Sequence, residues 1–400
     1  MTDTATTPIP TRAELADRAR ALVPLLREHA AEVDETGTIP ASVLDSIRDA
    51  GLLRLTVPRR FGGYERGFRD FVEIGSILAE GCGSTAWVTG YANTSKWTIG
   101  LRGAEVQADV FADPDVILSG SSKPSFDVEV VEGGYVVSGT WPSLSGVPHS
   151  GWVGVFFAVR STEGEPPRFL EGIIPTSDVT ISRTWNVIGM RGTGSESVTA
   201  DRVFVPEHRT IDAGIFRTND FHNYPTPFDE PLYRGAVHPV LSLVIGITPL
   251  GLAQGALDLV AENAVAQPLT GTAYDPQSES VSVQNEVAEA AMLVDTARLH
   301  LYRGADDIDE WSQRGEVMPP EIRARVRADT GFAVTAACAA IDRLMTAVGA
   351  GAFSTRNPLQ RMWRDANVAA RHGAANWMLN RETYGKTLLG VDASFNRLSV

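Results

Sequence analysis

Asn357 to Asn376 reads NPLQRMWRDANVAARHGAAN. Asn357-Pro358 is a helix start, because proline lacks the N–H that a first helical turn leaves unpaired and its fixed φ suits that turn. No glycine or proline follows until Gly373, so one continuous helix is expected. On such a helix, offsets of three, four and seven put Asp365, Val368, Ala369, His372 and Asn376 on one face. A solvated face is charged and a core stripe is apolar. This one mixes small apolar residues with a carboxylate and an imidazole, as a cavity wall with a titratable group would. The competing reading of His372 is a buried, hydrogen-bonded core residue.

Working outward, four helical segments are expected at 240–266, 281–313, 319–349 and 358–389, separated by Pro268 with Gly271, Pro319-Pro320 and Gly349 to Gly351. Long helices with short links argue for an antiparallel four-helix bundle over 240–400. Ala and Gly on several faces suggest close helix contacts and surface buried between subunits. Ahead of the bundle, Pro206 to Pro239 lacks periodicity, so 209–239 is expected to be a connecting loop, as a lid or subunit contact or as mobile surface. From about Val116 the pattern alternates in short runs such as GYVVSGTW and GWVGVFFAV, giving a β domain over 118–208. Residues 1–117 form an N-terminal helical domain: after a frayed tail, Leu15, Ala19, Leu22, Leu26 and Ala30 recur at helical intervals. The class is α+β.

With 43% hydrophobic and 21% charged residues, the chain is ordinary globular material. A net charge of -14 without clustered Lys or Arg argues against nucleic acid and anionic membrane surfaces. No apolar run is read as approaching the ~20 residues that span a bilayer. No secretory signal is visible, and the two cysteines, Cys82 and Cys338, fit free thiols in a reducing cytoplasm. The histidines show no metal-ligand spacing, so no metal is expected.

The Asn-Pro-Leu-x-Arg-x-x-Arg-Asp run followed by His resembles the flavin-dependent monooxygenases built on the acyl-CoA dehydrogenase fold, the oxygenase halves of two-component systems. The order of helical domain, β domain and bundle is similar over nearly the whole chain. Acyl-CoA dehydrogenases carry the same Arg-Asp and then a catalytic glutamate, which would fall near Gly373; it is absent. SGTWPSLSGVPHSGW, from Ser138, resembles the stretch that lies against the flavin ring. The resemblance puts Trp141 near the isoalloxazine and either Ser143 or Ser145 at its edge, where a hydroxyl both donates and accepts. Both serines equally suit turns that bond their own backbone. WNVIGMRGTGSESV, from Trp185, resembles the strand pair closing the β domain, and Leu118 to Lys123 the other flavin-facing loop, making Ser119 and Ser121 cofactor candidates with Ser122.

The resemblance implies an enzyme that takes reduced FMN or FAD by diffusion from a separate NAD(P)H:flavin reductase, forms a C4a-hydroperoxide with O2, and hydroxylates or N-oxidises a small aromatic or natural-product substrate. His372 and Ser145 are its catalytic candidates, His372 as acceptor of a substrate proton or as partner to the peroxide. Arg356 and Arg364 are candidates for a flavin phosphate or a carboxylate, and Arg364-Asp365 equally for a structural ion pair. Tyr91, Trp97, Trp185 and Phe221 are substrate-pocket candidates that suit a core as well. A homotetramer is implied by resemblance alone. The alternatives are an acyl-CoA dehydrogenase using another carboxylate, Glu382 being the nearest downstream, and a scaffold without flavin chemistry.

Overall fold

A computed structural model describes residues 9–160, 166–227 and 229–393. The tail up to Pro8, expected to fray, lies outside them. The first helix, α1 (Arg12–Thr36), starts on a reciprocal cap, with Thr11 Oγ1 accepting from Glu14 N and the Glu14 carboxylate accepting from Thr11 N. It is followed by α2 (Ala41–Asp49), α3 (Phe68–Ala79), α4 (Gly83–Gly100) and α5 (Ala104–Val110).

Eight strands follow: β1 (Leu118–Ser125), β2 (Asp127–Val131), β3 (Gly134–Leu144), β4 (Trp152–Val159), β5 (Arg168–Pro175), β6 (Thr180–Ser182), β7 (Glu196–Pro206) and β8 (Thr210–Asp212). They form two four-stranded sheets, ordered β1-β4-β5-β8 and β2-β3-β7-β6. Among the described residues, only the β1–β4 pairing is parallel. Val137, Trp141, Phe157, Leu170 and Val198 pack between the sheets as a core of their own. The segment 209–239 is not a free loop. It contributes β8, then α6 (Ala213–Arg217), and buries Tyr224, Leu232 and Tyr233 against the helical core, which leaves little to move as a lid.

The bundle comprises α7 (Val237–Ala264), α8 (Val281–Arg314), α9 (Pro320–Val348), α10 (Pro358–Ala369) and α11 (Trp377–Leu388). Its last segment is therefore two helices and not one. Two stretches, Val237–Ala264 and Pro320–Phe353, are long and apolar enough to cross a membrane, which corrects the expectation that no such run exists; 83% of the first apolar window is buried inside the protein, as in a core helix. The close helix contacts expected from small residues occur within the chain. A Cβ on Gly251 of α7 would sit 2.1 Å from the Ser76 carbonyl oxygen of α3.

One contact positions the site more than any other. The loop at 184–190 leaves the β domain and lies on α10, where Met190 N donates to the buried Asp365 carboxylate and the Ile188 carbonyl accepts from Arg364. Arg364 also pairs with Asp34 at 2.7 Å, so its ionic partner is α1 and not Asp365. Gly189 lies so close that a Cβ there would be 2.5 Å from the Arg364 carbonyl oxygen. Backbone against backbone cannot relax by a rotamer change, so Gly189→Ala should cost about 1–3 kcal/mol in urea unfolding. An unchanged midpoint would show that this loop is not clamped.

Candidate active site

His372 owes its position to the break between the last two helices. α10 ends at Ala369, and the chain enters a tight turn over Gly373–Ala375 before Asn376 caps α11, its side-chain oxygen accepting from Met378 N at 3.0 Å. The imidazole Nδ1 accepts from Ala374 N at 3.3 Å. Side chains that satisfy their neighbours' backbone N–H groups offer an alternative to helical bonding, and here they win. The Ala374 carbonyl accepts from Ser242 Oγ of α7 at 2.8 Å and from Asn380 Nδ2 of α11 at 3.0 Å, so two helices hold the turn. The single helical face expected across 365–376 is corrected accordingly. Val368, Ala369 and His372 reach one cavity, whereas Asp365 is buried under Met190 and Asn376 is a cap. Burial raises the Asp365 carboxyl to about 7.

The cavity, about 620 Å³, lies between the β domain and the bundle. Its strand side carries Ser121, Ser122, Pro142, Ser143, Ser145 and Ser195. The β1–β4 ladder skips Ser122 and Lys123, and the β3–β7 ladder skips Pro142 and Ser143, the latter at φ +64°. Both irregularities fall in stretches that line the cavity, at Ser122 and at Pro142 with Ser143. The helices contribute Trp87 and Tyr91 of α4, whose rings stack with centroids 5.1 Å apart, the α7 residues His238, Leu241 and Val244, and Arg327 of α9. Among the described residues, no aspartate or glutamate lines it.

Two hydrogen-bond sequences have a direction. Thr193 Oγ1 donates to the Met190 carbonyl at 2.8 Å, so across its 2.8 Å contact with Ser195 it accepts. The Ser195 proton is thereby committed to Thr193, and Ser145 must donate to Ser195 at 2.8 Å. Trp87 Nε1–H, a donor only, gives to Ser145 Oγ at 3.1 Å. What Ser145 has left for a ligand is a lone pair. The hydroxyl expected to donate and accept is thus an acceptor.

The second sequence concerns His372. Because Nδ1 accepts from Ala374 N, the neutral ring carries its proton on Nε2, which lies 3.1 Å from Tyr91 Oη. The network assigns this tautomer. Nε2–H then donates to the phenol, and the phenol proton is free to point elsewhere. His372 is exposed as a residue, yet the protein packed around its ring desolvates it and lowers its pKa, while burial raises that of Tyr91. Both groups are neutral near pH 7, and both are donors.

Ser121, Ser143, Ser145, Tyr91, Trp185 and His372 therefore share one cavity. The other candidates do not. Trp97 is wholly buried, with Nε1 donating to the Leu232 carbonyl and its ring edge-on to Phe68. Trp141 is in the sheet core, donating to the Phe156 carbonyl at 2.8 Å. Ser119 lies beneath the wall, its Oγ donating to the Ser145 carbonyl at 2.6 Å, and Arg356 is exposed in the turn before α10. Phe221 packs on the helical core, and His149 contacts Thr38 and Ile39 N. Sequence reasoning passed over Trp87, Ser195, His238 and Arg327. Arg327 had a signal, an arginine seven residues before Val334 on the apolar stripe of α9.

Comparison with known proteins agrees with this geometry. The family model "Acyl-CoA dehydrogenase, N-terminal domain" matches residues 10–113, and "Acyl-CoA dehydrogenase, C-terminal domain" matches 243–377. The flavin-dependent monooxygenase oxygenase subunit HsaA of Rhodococcus jostii (strain RHA1) is 34% identical over 365 residues, 89% of this chain and 93% of that protein. The FADH(2)-dependent resorcinol hydroxylase, oxygenase component, of Rhizobium sp. (strain MTP-10005) is 32% identical over 394 residues, 94% of each. The chain belongs to the flavin-dependent monooxygenases of the acyl-CoA dehydrogenase fold. Among solved structures, XiaF from Streptomyces sp. in complex with FADH2 and glycerol superposes with a TM-score of 0.89 at 31% identity, covering 96% of both chains. This monooxygenase is thus an oxygenase component that works with a flavin and a separate partner component. The dehydrogenase alternative finds no support: Glu382 is on the outer face of α11, 3.7 Å from Lys386, away from the cavity. The residues present fit a flavin, since strand hydroxyls beside stacked indole and phenol rings suit a flat heteroaromatic system with a polar edge.

His238 gives a test of the cavity's electrostatics. Burial, then Arg327, Arg323 and Arg217, lower its pKa to about 4 against an ordinary 6.5. A depressed histidine favours the folded state while neutral, so this contribution is complete above pH 6.5 and is lost as pH falls through 4, to the extent of about 3 kcal/mol. His238→Phe should lose correspondingly less stability over that range in denaturant titrations; parallel pH profiles would contradict it.

Proposed function

We propose that this monooxygenase uses reduced FMN or FAD, supplied by a separate NAD(P)H-dependent flavin reductase, together with O2, to hydroxylate or N-oxidise an aromatic substrate. When bound, the reduced flavin supplies the activated oxygen. The observation that carries this reading is a cavity that brings together an imidazole, a phenol and hydroxyl-bearing strands, with no carboxylate among the described residues that line it.

The residues divide the work. Ser145, with its own proton passed to Ser195, accepts from an N–H donor and so favours a cofactor state that presents one. Trp87 and Trp185 supply flat walls, and Met190, Leu241, Val244 and Val368 keep water from the oxygen being transferred. Tyr91 Oη–H is the neutral donor left free at the edge of the space where substrate must lie, and His372 Nε2–H, which donates to the phenol oxygen, orients it. For His372 to take a substrate proton at Nδ1 it must first release Ala374 N, a bond already long at 3.3 Å. The resting arrangement therefore favours donation over the proton acceptance expected from the sequence. Sequence relatives named for resorcinol and p-hydroxyphenylacetate hydroxylation support an aromatic substrate, as do the aromatic walls.

The test is product formed per reduced flavin consumed, against hydrogen peroxide released. His372→Ala should lower product formation by roughly 10²-fold, the ordinary scale for a lost proton-transfer partner, and raise peroxide. His372→Gln, which keeps an N–H near the Nε2 position, should recover most of the loss. Glutamine no better than alanine would return His372 to the role of a base, and unchanged coupling in both would make it structural. Ser145→Ala should weaken reduced flavin more than oxidised flavin in anaerobic binding; equal weakening would deny the acceptor role.

A further inference from the structure

The aromatic walls and the His372 end leave one part of the cavity unexplained. His238 at the start of α7 and Arg327 of α9 both line it from its helical wall. The side chain of Arg327 reaches this wall although the residue is only 2% exposed. Its Nη2 donates to Asn380 Oδ1 at 3.1 Å, and Asn380 Nδ2 returns a bond to the Arg327 carbonyl, so α11 fixes the guanidinium. A guanidinium holds five N–H donors and no acceptor, so whatever it presents to the cavity is a donor.

The second group is oriented just as firmly. Asn219 Oδ1 accepts from His238 N at 3.0 Å, and Asn219 Nδ2 faces the Arg217 carbonyl at 3.4 Å. Those two backbone partners decide which end of the amide is nitrogen. The contact between Asn219 Nδ2 and His238 Nδ1, 3.2 Å, is therefore donation to Nδ1, and the neutral imidazole carries its proton on Nε2. The charged side chains on the cavity wall are Arg327 and Arg371, in a chain whose acidic residues outnumber its basic ones by 49 to 35. A wall of donors leaves the proton of a ligand hydroxyl without an acceptor, and buried unpaired polar groups are what such sites discriminate against.

We propose that Arg327 and His238 form a recognition site for an acceptor oxygen, a carboxylate or a carbonyl, on the aromatic substrate, at the helical wall of the cavity. The substrate class is then aromatic acids or aromatic carbonyl compounds in preference to simple phenols. This rests on the monooxygenase reading for calling the ligand a substrate, but the recognition itself needs neither oxygen nor turnover.

Isothermal titration calorimetry with three probes tests it, anaerobically and with and without reduced FMN: 6-hydroxy-2-naphthoate, 6-hydroxy-2-naphthamide and 2-naphthol. The acid should bind at least tenfold more tightly than the naphthol. An amide matching the acid assigns a carbonyl site, and an amide matching the naphthol assigns a carboxylate site. His238→Phe, and Arg327→Lys as the variant that keeps a cation in the fold, should each remove most of the preference. Equal affinities for the three probes, or no binding of any of them in either state, would overturn the proposal. So would a preference that survives in His238→Phe while affinity for reduced FMN falls, since that assigns the pair to the cofactor. Product formation from the bound acid is measured separately, so selective binding without oxygenation counts against the monooxygenase reading and leaves this one standing.

Discussion

One carbonyl oxygen holds the site together. Ala374 O accepts from Ser242 and Asn380, and this pair of bonds closes a turn where the sequence alone favours more helix. The closed turn brings the His372 ring against Tyr91 on α4, some 280 residues earlier in the chain, at 3.1 Å. Asn380 also holds Arg327 through both ends of its amide. One buried asparagine thus ties the donor pair at His372 to the guanidinium on the other helix wall. A fully satisfied polar network of this kind is rigid, and leaving any member unpaired is costly.

The two faces of the cavity are built from opposite materials for a physical reason. Strands offer hydroxyls and, where ladders slip, backbone groups whose protons run in a set order; here that order leaves Ser145 an acceptor. Helices offer rings and long side chains, and here they leave His372, Tyr91, Arg327 and His238 as donors. A carboxylate on the helical side would add an acceptor and a negative charge where the dehydrogenases of this fold use one. On the function proposed above, the neutral pair in its place suits the same scaffold to handling oxygen in place of removing a substrate proton.

Much of the architecture was legible in the chain. Proline starts, glycine stops and the change from helical spacing to alternation near Val116 depend on local backbone chemistry, which a sequence displays directly. The motif around Arg364-Asp365 carried the family. The break after Ala369 was not legible, because periodicity cannot see a histidine and an asparagine bonding their own backbone. Trp97 and Trp141 were misplaced because large rings fill cores as readily as they line ligand sites, and only their buried partners decide. Arg327 was readable in principle, as a charge on an apolar stripe, but its use emerges only with Asn380 and His238 around it.

The most direct measurement is a crystal structure of the anaerobic complex with reduced flavin. The account requires the isoalloxazine ring inside this cavity, its N–H edge within hydrogen-bond reach of Ser145 Oγ, and the His372 turn unchanged beside the open space left for substrate. A ring bound elsewhere, or an acidic side chain moved in beside it in place of His372, would contradict it.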